Sequence, residues 1–310
     1  VNLPDTTPYA TLEYAATCVH TGTPLALPRA GASLLVRPVA AGSSERDACA
    51  PYPLLACRDW AGLPADLDAL SGLVSVTAVI DPLAIVDDDV LRRCFPDVLR
   101  RYKAHHCAHI DAASPLRHVR SSHRRKADAA RAALHVEIHE PPVPADVADA
   151  WCDLYRGLGA RHTLSEPSRF APASLVAQLG LLGSFIVVAR EGTDVVAAAV
   201  WFVGGTRAHY HLGASSPRGY EHSASFGVFA VAIEHLAGLG VELIDFGGAA
   251  DGSATDGLGR FKRGWADHHR DAYVAGRVID RDAFDALGGD HHRSGFFPPY
   301  RDQSRSNSRE

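Results

Sequence analysis

The residues best placed to do chemistry lie near the C-terminal end: Asp245 ahead of Gly247-Gly248, then Phe261-Lys262 within Gly257-Leu-Gly-Arg-Phe-Lys-Arg-Gly-Trp265. A carboxylate inside the apolar run of Val241, Leu243, Ile244 and Phe246 is costly unless it is paired or hydrogen-bonded. Asp245 is therefore a cap on the turn that follows or a group that orients something else, Lys262 or an incoming amine. Lys262 stands out by composition. Of 31 lysines and arginines, only Lys103, Lys126 and Lys262 are lysines. A lysine kept in an arginine-biased chain suits a role that a guanidinium cannot fill, because a compact ammonium enters tight pockets and shifts its pKa. His209 and His211 share one strand face, opposite Tyr210 and Leu212, and a histidine titrates in the range of a general base.

Two further clusters are rich in ligating or charged groups. Residues 114–131 form the strongly basic stretch, in which Ser121 or Ser122 can cap a helix carrying Arg124, Arg125 and Lys126. Such a face is either solvated or an anion clamp for phosphate. His105, His106, Cys107 and His109 invite a zinc reading. They have no second pair at finger-like spacing and a structural zinc needs four ligands, so no metal is expected. His268-His269 and His291-His292 are too isolated in sequence to complete a site.

The elements that must position these residues follow from periodicity. A short helix is expected within residues 11–21, then loop. Residues 33–38 read as a strand with Pro38 at an edge or end, 40–48 as a polar connection, and 52–58 as a second strand. Residues 63–70 are a helix with Pro64 in its first turn, 73–80 the clearest early strand, and 87–95 a helix with acids at its start. From residue 134 the pattern is regular. A strand (134–140) and two helices (144–158, 172–182) precede a hairpin (184–190, 195–203). Then come a strand (206–213), a long apolar helix (223–240) with a glycine stop, the strand 241–248, a helix starting at Asp256-Gly257, and a strand (271–279). A strand that ends in glycines and hands over to a helix brings backbone N–H groups and side chains together at the sheet edge, where open α/β sheets place their sites. Residues from 288 on read as an irregular, partly disordered tail.

Composition sets the outer limits. The 310 residues allow one large or two ordinary domains. No run of about 18 apolar residues predicts a membrane span. The first residues lack the pattern of a signal peptide. The six scattered cysteines read as reduced thiols of a cytoplasmic protein. A net charge of −5 argues against a generally basic nucleic-acid binder but leaves room for a local basic groove.

The element order, with Tyr102-Lys103-x-His105, the basic helix, Tyr210-His-Leu-Gly-Ala214, Arg218-Gly-Tyr220, Asp245-Phe-Gly-Gly248 and the Phe261-Lys262 segment, resembles the GNAT superfamily of N-acyltransferases. It is more specifically similar to the Fem-type branch, in which two such folds are joined in one chain. The resemblance covers about residues 100–280. It implies an α/β (mixed α+β sheet) fold with a degenerate GNAT-like domain over 1–112, a catalytic one over 113–285 and a tail over 286–310. It implies amide formation by acyl transfer to an amine, with Lys262 at the acyl centre, Phe261 fixing its direction, and His211 and Asp245 as further catalytic candidates. Tyr102, Lys103, Arg124, Arg125, Lys126, Tyr210, Arg218 and Tyr220 are the expected substrate-binding residues. No dissociable cofactor is implied.

The family's donors are acyl-CoA and aminoacyl-tRNA. CoA-binding members place a glycine-rich turn at a helix N-terminus. Here the corresponding stretch, Pro217-Arg-Gly-Tyr-Glu-His-Ser-Ala-Ser225, has one glycine, the bulky Tyr220 and the carboxylate of Glu221. At about 4 Å and an effective dielectric of 20, Glu221 would repel a phosphate by roughly 4 kcal/mol. Aminoacyl-tRNA is the favoured donor, acyl-CoA the alternative, and a non-catalytic binding protein of the same fold the third reading. The Fem-type coiled-coil arm has no counterpart here, which turns the expected acceptor from a peptidoglycan precursor to a small amine of specialised metabolism.

Overall fold

A computed structural model describes residues 3–248, 257–288 and 296–302. The elements up to residue 109 are α1 (Leu12–Ala16), β1 (Thr23–Leu27), β2 (Ala32–Pro38), β3 (Arg46–Cys49), α2 (Leu63–Asp68), β4 (Ser75–Val79), α3 (Asp88–Cys94) and the long β5 (Val98–His109). They are followed by α4 (Ser121–Ala133), β6 (His135–His139), α5 (Ala145–Arg161), α6 (Pro172–Leu179), β7 (Ser184–Glu191), β8 (Asp194–Gly204) and β9 (Arg207–Ser215). The remaining elements are α7 (Pro217–Glu221), α8 (Ala224–Gly238), β10 (Leu243–Gly248), α9 (Gly257–Trp265), β11 (His268–Val278) and α10 (Arg281–Ala286). Two compact units result: residues 1–8 with 103–271, and residues 9–102 with those from 272 on.

In the unit holding residues 103–271 the strand order is β5-β10-β9-β8-β7-β6. Neighbours run antiparallel except for the parallel pair β9–β10. β7 and β8 are buried almost end to end, Ile186 through Ala189 and Trp201-Phe202 having no exposed surface. A sheet covered on both faces selects continuous apolar runs over alternation. One face carries Val187, Ala199, Trp201 and Phe246 against the apolar side of α8, Val228, Phe229, Ile233 and Leu236. α4 packs on α8, and α5 covers β8 and β9.

The other unit repeats the scheme with one strand fewer, β1-β2-β3-β4-β11, antiparallel except for the parallel pair β3–β4. Its core is Leu34, Leu55, Leu63, Val76, Phe95 and Ala275. Each set of strands thus closes on a pairing between segments far apart in sequence: β5 pairs with β10, and β11 with β4.

Most expected elements appear within a few residues. β1 and β3 do not follow from the sequence pattern: a proline sits inside β1 and charge opens β3. Residues 52–58 are not a strand and make only an isolated bridge between Leu55 and Ile80. Pro38 does end β2, but β2 is flanked by β1 and β3 and is no edge. α4 begins at Ser121 itself, with Arg120 at the cap position and no side-chain cap bond. Within the expected tail, residues 296–302 are ordered by Arg301, which binds Asp47 and the Pro38 carbonyl, and by Tyr300, which bonds Ser75. Asp256, at the expected start of α9, and His291-His292 lie outside the described residues. None of the six cysteines forms a disulfide. Among the described residues, no helix is long and apolar enough to cross a membrane.

Candidate active site

The site forms where β10 ends. Asp245 is buried at 2% exposure and uses both oxygens. Oδ1 accepts from the Gly247 N–H at 2.6 Å, an Asx cap on the turn, and Oδ2 lies 2.8 Å from His105 Nδ1 on β5. Burial alone would raise its pKa. The charge of His105, its hydrogen bond, His209 and the Gly247 amide outweigh burial and hold the carboxyl at about 2. An ionised carboxylate only accepts hydrogen bonds, so His105 Nδ1 carries a proton toward Asp245. His105 Nε2 is buried and has no hydrogen-bond partner among the described residues.

Gly247 adopts φ +82°, a conformation that disfavours side chains. A Cβ there would stand 2.9 Å from Lys262 Nζ, and one on Gly248 would meet Lys103 Cδ at 2.7 Å and the His105 ring at 3.1 Å. Lys262 donates to the Gly248 carbonyl at 2.9 Å and stands 5.7 Å over the Tyr210 ring. The glycine pair thus lets two amines and an imidazole converge on one short piece of backbone. Burial lowers the Lys103 pKa, against the pull of Asp245. His106, the next residue of β5 after His105, is pushed down to about 4 by burial and by His269, Lys262 and Arg263.

α9 holds Lys262 because its last carbonyls are satisfied from outside the helix, as helix ends require. His123 Nε2 lies 3.0 Å from the Phe261 carbonyl, Arg120 N donates to Gly264 O at 3.0 Å, and His118 Nε2 lies 2.9 Å from Trp265 O. Phe261 packs edge-on to Phe226, Phe229 and Trp265. It anchors the helix, and thereby its neighbour Lys262, in the core. The basic stretch therefore has a structural task that its charge did not announce. Its neutral histidines, both lowered by burial, cap the helix that bears the lysine.

Other expected site residues fall elsewhere. His211 sits at the register slip of β9. It stacks on Phe202 at 4.3 Å and 16° and bonds Gln178 at 3.1 Å, on the face with His209, while Tyr210 pairs with Trp201. The register slips at this point, which returns Leu212 to the histidine side instead of opposite it. Asp245 orients His105, not Lys262. Tyr102 is exposed and belongs to the other unit. Arg218 is held by Glu191 at 2.7 Å and Glu221 at 2.7 Å, and Tyr220 is exposed with Arg161 over its ring at 5.8 Å. On α4, Arg124 reaches the carbonyls of Leu116 and Arg117, Lys126 lies 4.8 Å over Phe226, and Arg125 has no partner among the described residues.

Burial pushes His211 down to about 3, with His209 adding to it. The unfolded chain therefore takes this proton first. Stability is full above the unfolded value of about 6.5 and falls toward pH 3 by about 1.4 kcal/mol per pH unit. Thermal melts of a His211→Gln variant should lose that share of the acid slope between pH 6 and 4. An unchanged slope would assign it to other groups.

The segment that carries Asp245 and Lys262 belongs to a known class of domain. Residues 117–263 match the family model described as an acetyltransferase (GNAT) domain, so this segment is a GNAT domain. Solved structures share the fold over most of the chain. FemX aligns with a TM-score of 0.58 at 11% identity, covering 82% of this chain and 86% of its own. L-PGS from Bacillus licheniformis aligns at 0.54 and 12% identity, covering 90% and 95%. The C-terminal domain of an Agrobacterium fabrum protein described as a lysylphosphatidylglycerol synthetase aligns at 0.54 and 18% identity, covering 83% of each. No curated protein sequence matches the chain.

Proposed function

We propose that the protein transfers an aminoacyl group from aminoacyl-tRNA to the amine of a small acceptor, forming an amide. One observation carries the choice of donor: the turn between β9 and α8 turns four of its backbone donors, those of Gly219, Tyr220, His222 and Ser223, onto itself. Ser216 Oγ accepts from Gly219 N at 3.1 Å, and Tyr220, His222 and Ser223 N–H bond Ser216, Arg218 and Tyr220 carbonyls. The turn's glycine, Gly219, serves a close approach to β8, where an added Cβ would stand 2.2 Å from the Val196 carbonyl. A CoA pyrophosphate would need such amides pointing outward. Arg218 offsets the charge of Glu221, so its repulsion of a phosphate is smaller than its sequence position suggests. The description of the matched domain favours acyl-CoA as the second reading.

In the proposed reaction His105 Nε2 takes a proton from the attacking amine while Asp245 stabilises the imidazolium. The amine nitrogen bonds the ester carbonyl carbon. Lys262 Nζ faces the resulting oxyanion, the role in which a fixed donor contributes most. Collapse breaks the bond to the ribose oxygen, which leaves with the proton from His105. Tyr210 and Lys103 border the acyl centre, and Arg125 with its neighbours on α4 contacts phosphate. The unit of residues 9–102 and those from 272 on is a degenerate copy of the same fold that carries no chemistry of its own.

The test is direct binding at fixed moderate salt, with acetyl-CoA followed by calorimetry and a charged-tRNA pool by filter retention. Retained tRNA without acetyl-CoA binding is expected. Replacing Arg124, Arg125 and Lys126 by Gln should then flatten the log K against log salt slope by about 2. Micromolar acetyl-CoA binding without retained tRNA would establish the second reading. Absence of both would return the protein to a non-catalytic role.

A further inference from the structure

The histidines that sequence spacing kept apart meet at the far end of β5. His268 follows Asp267 at the start of β11, and its ring stacks on that of His109 at 4.4 Å and 21°. Asp267 stands between them. Its Oδ2 is 3.6 Å from His109 Nδ1, and its Oδ1 hydrogen-bonds His268 Nδ1. The carboxylate is held in place by the backbone. Asp267 N donates to Cys107 O at 3.0 Å, and His109 N points at both carboxylate oxygens at 3.4 and 3.3 Å. One ligand atom from each of the three residues lies within 4.8 Å of the others.

We infer that His109, Asp267 and His268 form a three-ligand site for a divalent transition metal, zinc by preference. Two imidazoles and one carboxylate are borderline ligands that suit zinc over magnesium or calcium, which take oxygen shells. Zinc–nitrogen bonds of about 2.0–2.1 Å ask the three atoms to draw together by roughly an ångström. The His109 side chain, 65% exposed, is free to rotate to meet that demand. The fourth position would take water or a group from outside. Binding would tie the residues just after α9 to β5. The site lies four strand residues from His105, roughly 13 Å along β5, so the metal is separate from the acyl-transfer centre and independent of the donor assignment.

The experiment is titration of chelator-treated protein with Co2+ and then Zn2+. One equivalent of Co2+ should raise the visible bands of a low-coordinate site, and Zn2+ should bleach them. His109→Ala, at an exposed position where the fold does not depend on it, should weaken binding at least tenfold. His268→Ala should do the same, while His135→Ala, on another exposed strand, leaves the titration unchanged. Cobalt bands that survive His109→Ala and His268→Ala, or no bands in the unmodified protein, would overturn the assignment.

Discussion

Lys262→Ala should lower kcat by about 10²–10³-fold with little change in KM, the signature of a donor that acts on the transition state and not on bound substrate. That loss corresponds to about 3–4 kcal/mol. Lys262→Arg should not rescue it. The bond to Gly248 O is made by a compact ammonium at 2.9 Å, and the longer planar guanidinium cannot place its nitrogens at that point in the same way. Single-turnover rates on variants with a wild-type circular dichroism spectrum are the measurement. Turnover within threefold of the parent would remove Lys262 from the acyl centre.

The second large effect belongs to a pair 140 residues apart in sequence, Asp245 and His105. In Asp245→Asn the amide can offer an N–H to Nδ1, which moves the imidazole proton to Nε2 and removes the lone pair needed to accept from the amine. A loss of about 10³–10⁴ in kcat/KM is expected, the scale seen when an Asp that fixes a catalytic histidine's tautomer is replaced. His105→Gln should fall by a similar factor, and the double variant by no more than either single one, because the two act as a unit. A purely structural pair behaves differently. Removing one partner of a buried ion pair costs about 3–5 kcal/mol of stability, but activity per folded molecule then stays level and the pH profile keeps its acid limb. Measuring kcat/KM across pH 5 to 9 on the folded fraction separates the two.

Much of the unit holding residues 103–271 was legible because its physics is local. Continuous apolar runs mark β7 and β8, a glycine ends the long helix, and Gly247-Gly248 mark the end of the strand before Lys262. Strands β1 and β3 escaped because they are short and one contains proline; tertiary pairing holds them. The site was half legible. Lys262 followed from rarity and from its motif, and Asp245 from being a charge in an apolar run. His105 stood in a quoted motif but drew attention only as a zinc candidate, since nothing in its neighbours reveals which strand will lie beside it. His211 was chosen by its side-chain chemistry, and the register slip in β9 sets its ring against Phe202 and Gln178. The capping roles of His118 and His123 were hidden by the arginines around them.

The crossed provenance of β5 and β11 has a genetic consequence. A gene cut between the two expected domains would leave one fragment with β5 but no β10 to pair with it, and the other with β11 but no β4. Each fragment would show an unpaired sheet edge, the surface on which chains aggregate or exchange strands. The halves of this gene could therefore not be shuffled singly into new fusions. They would be inherited together, and residues lining either exchanged strand would have to change in step with partners encoded at the opposite end.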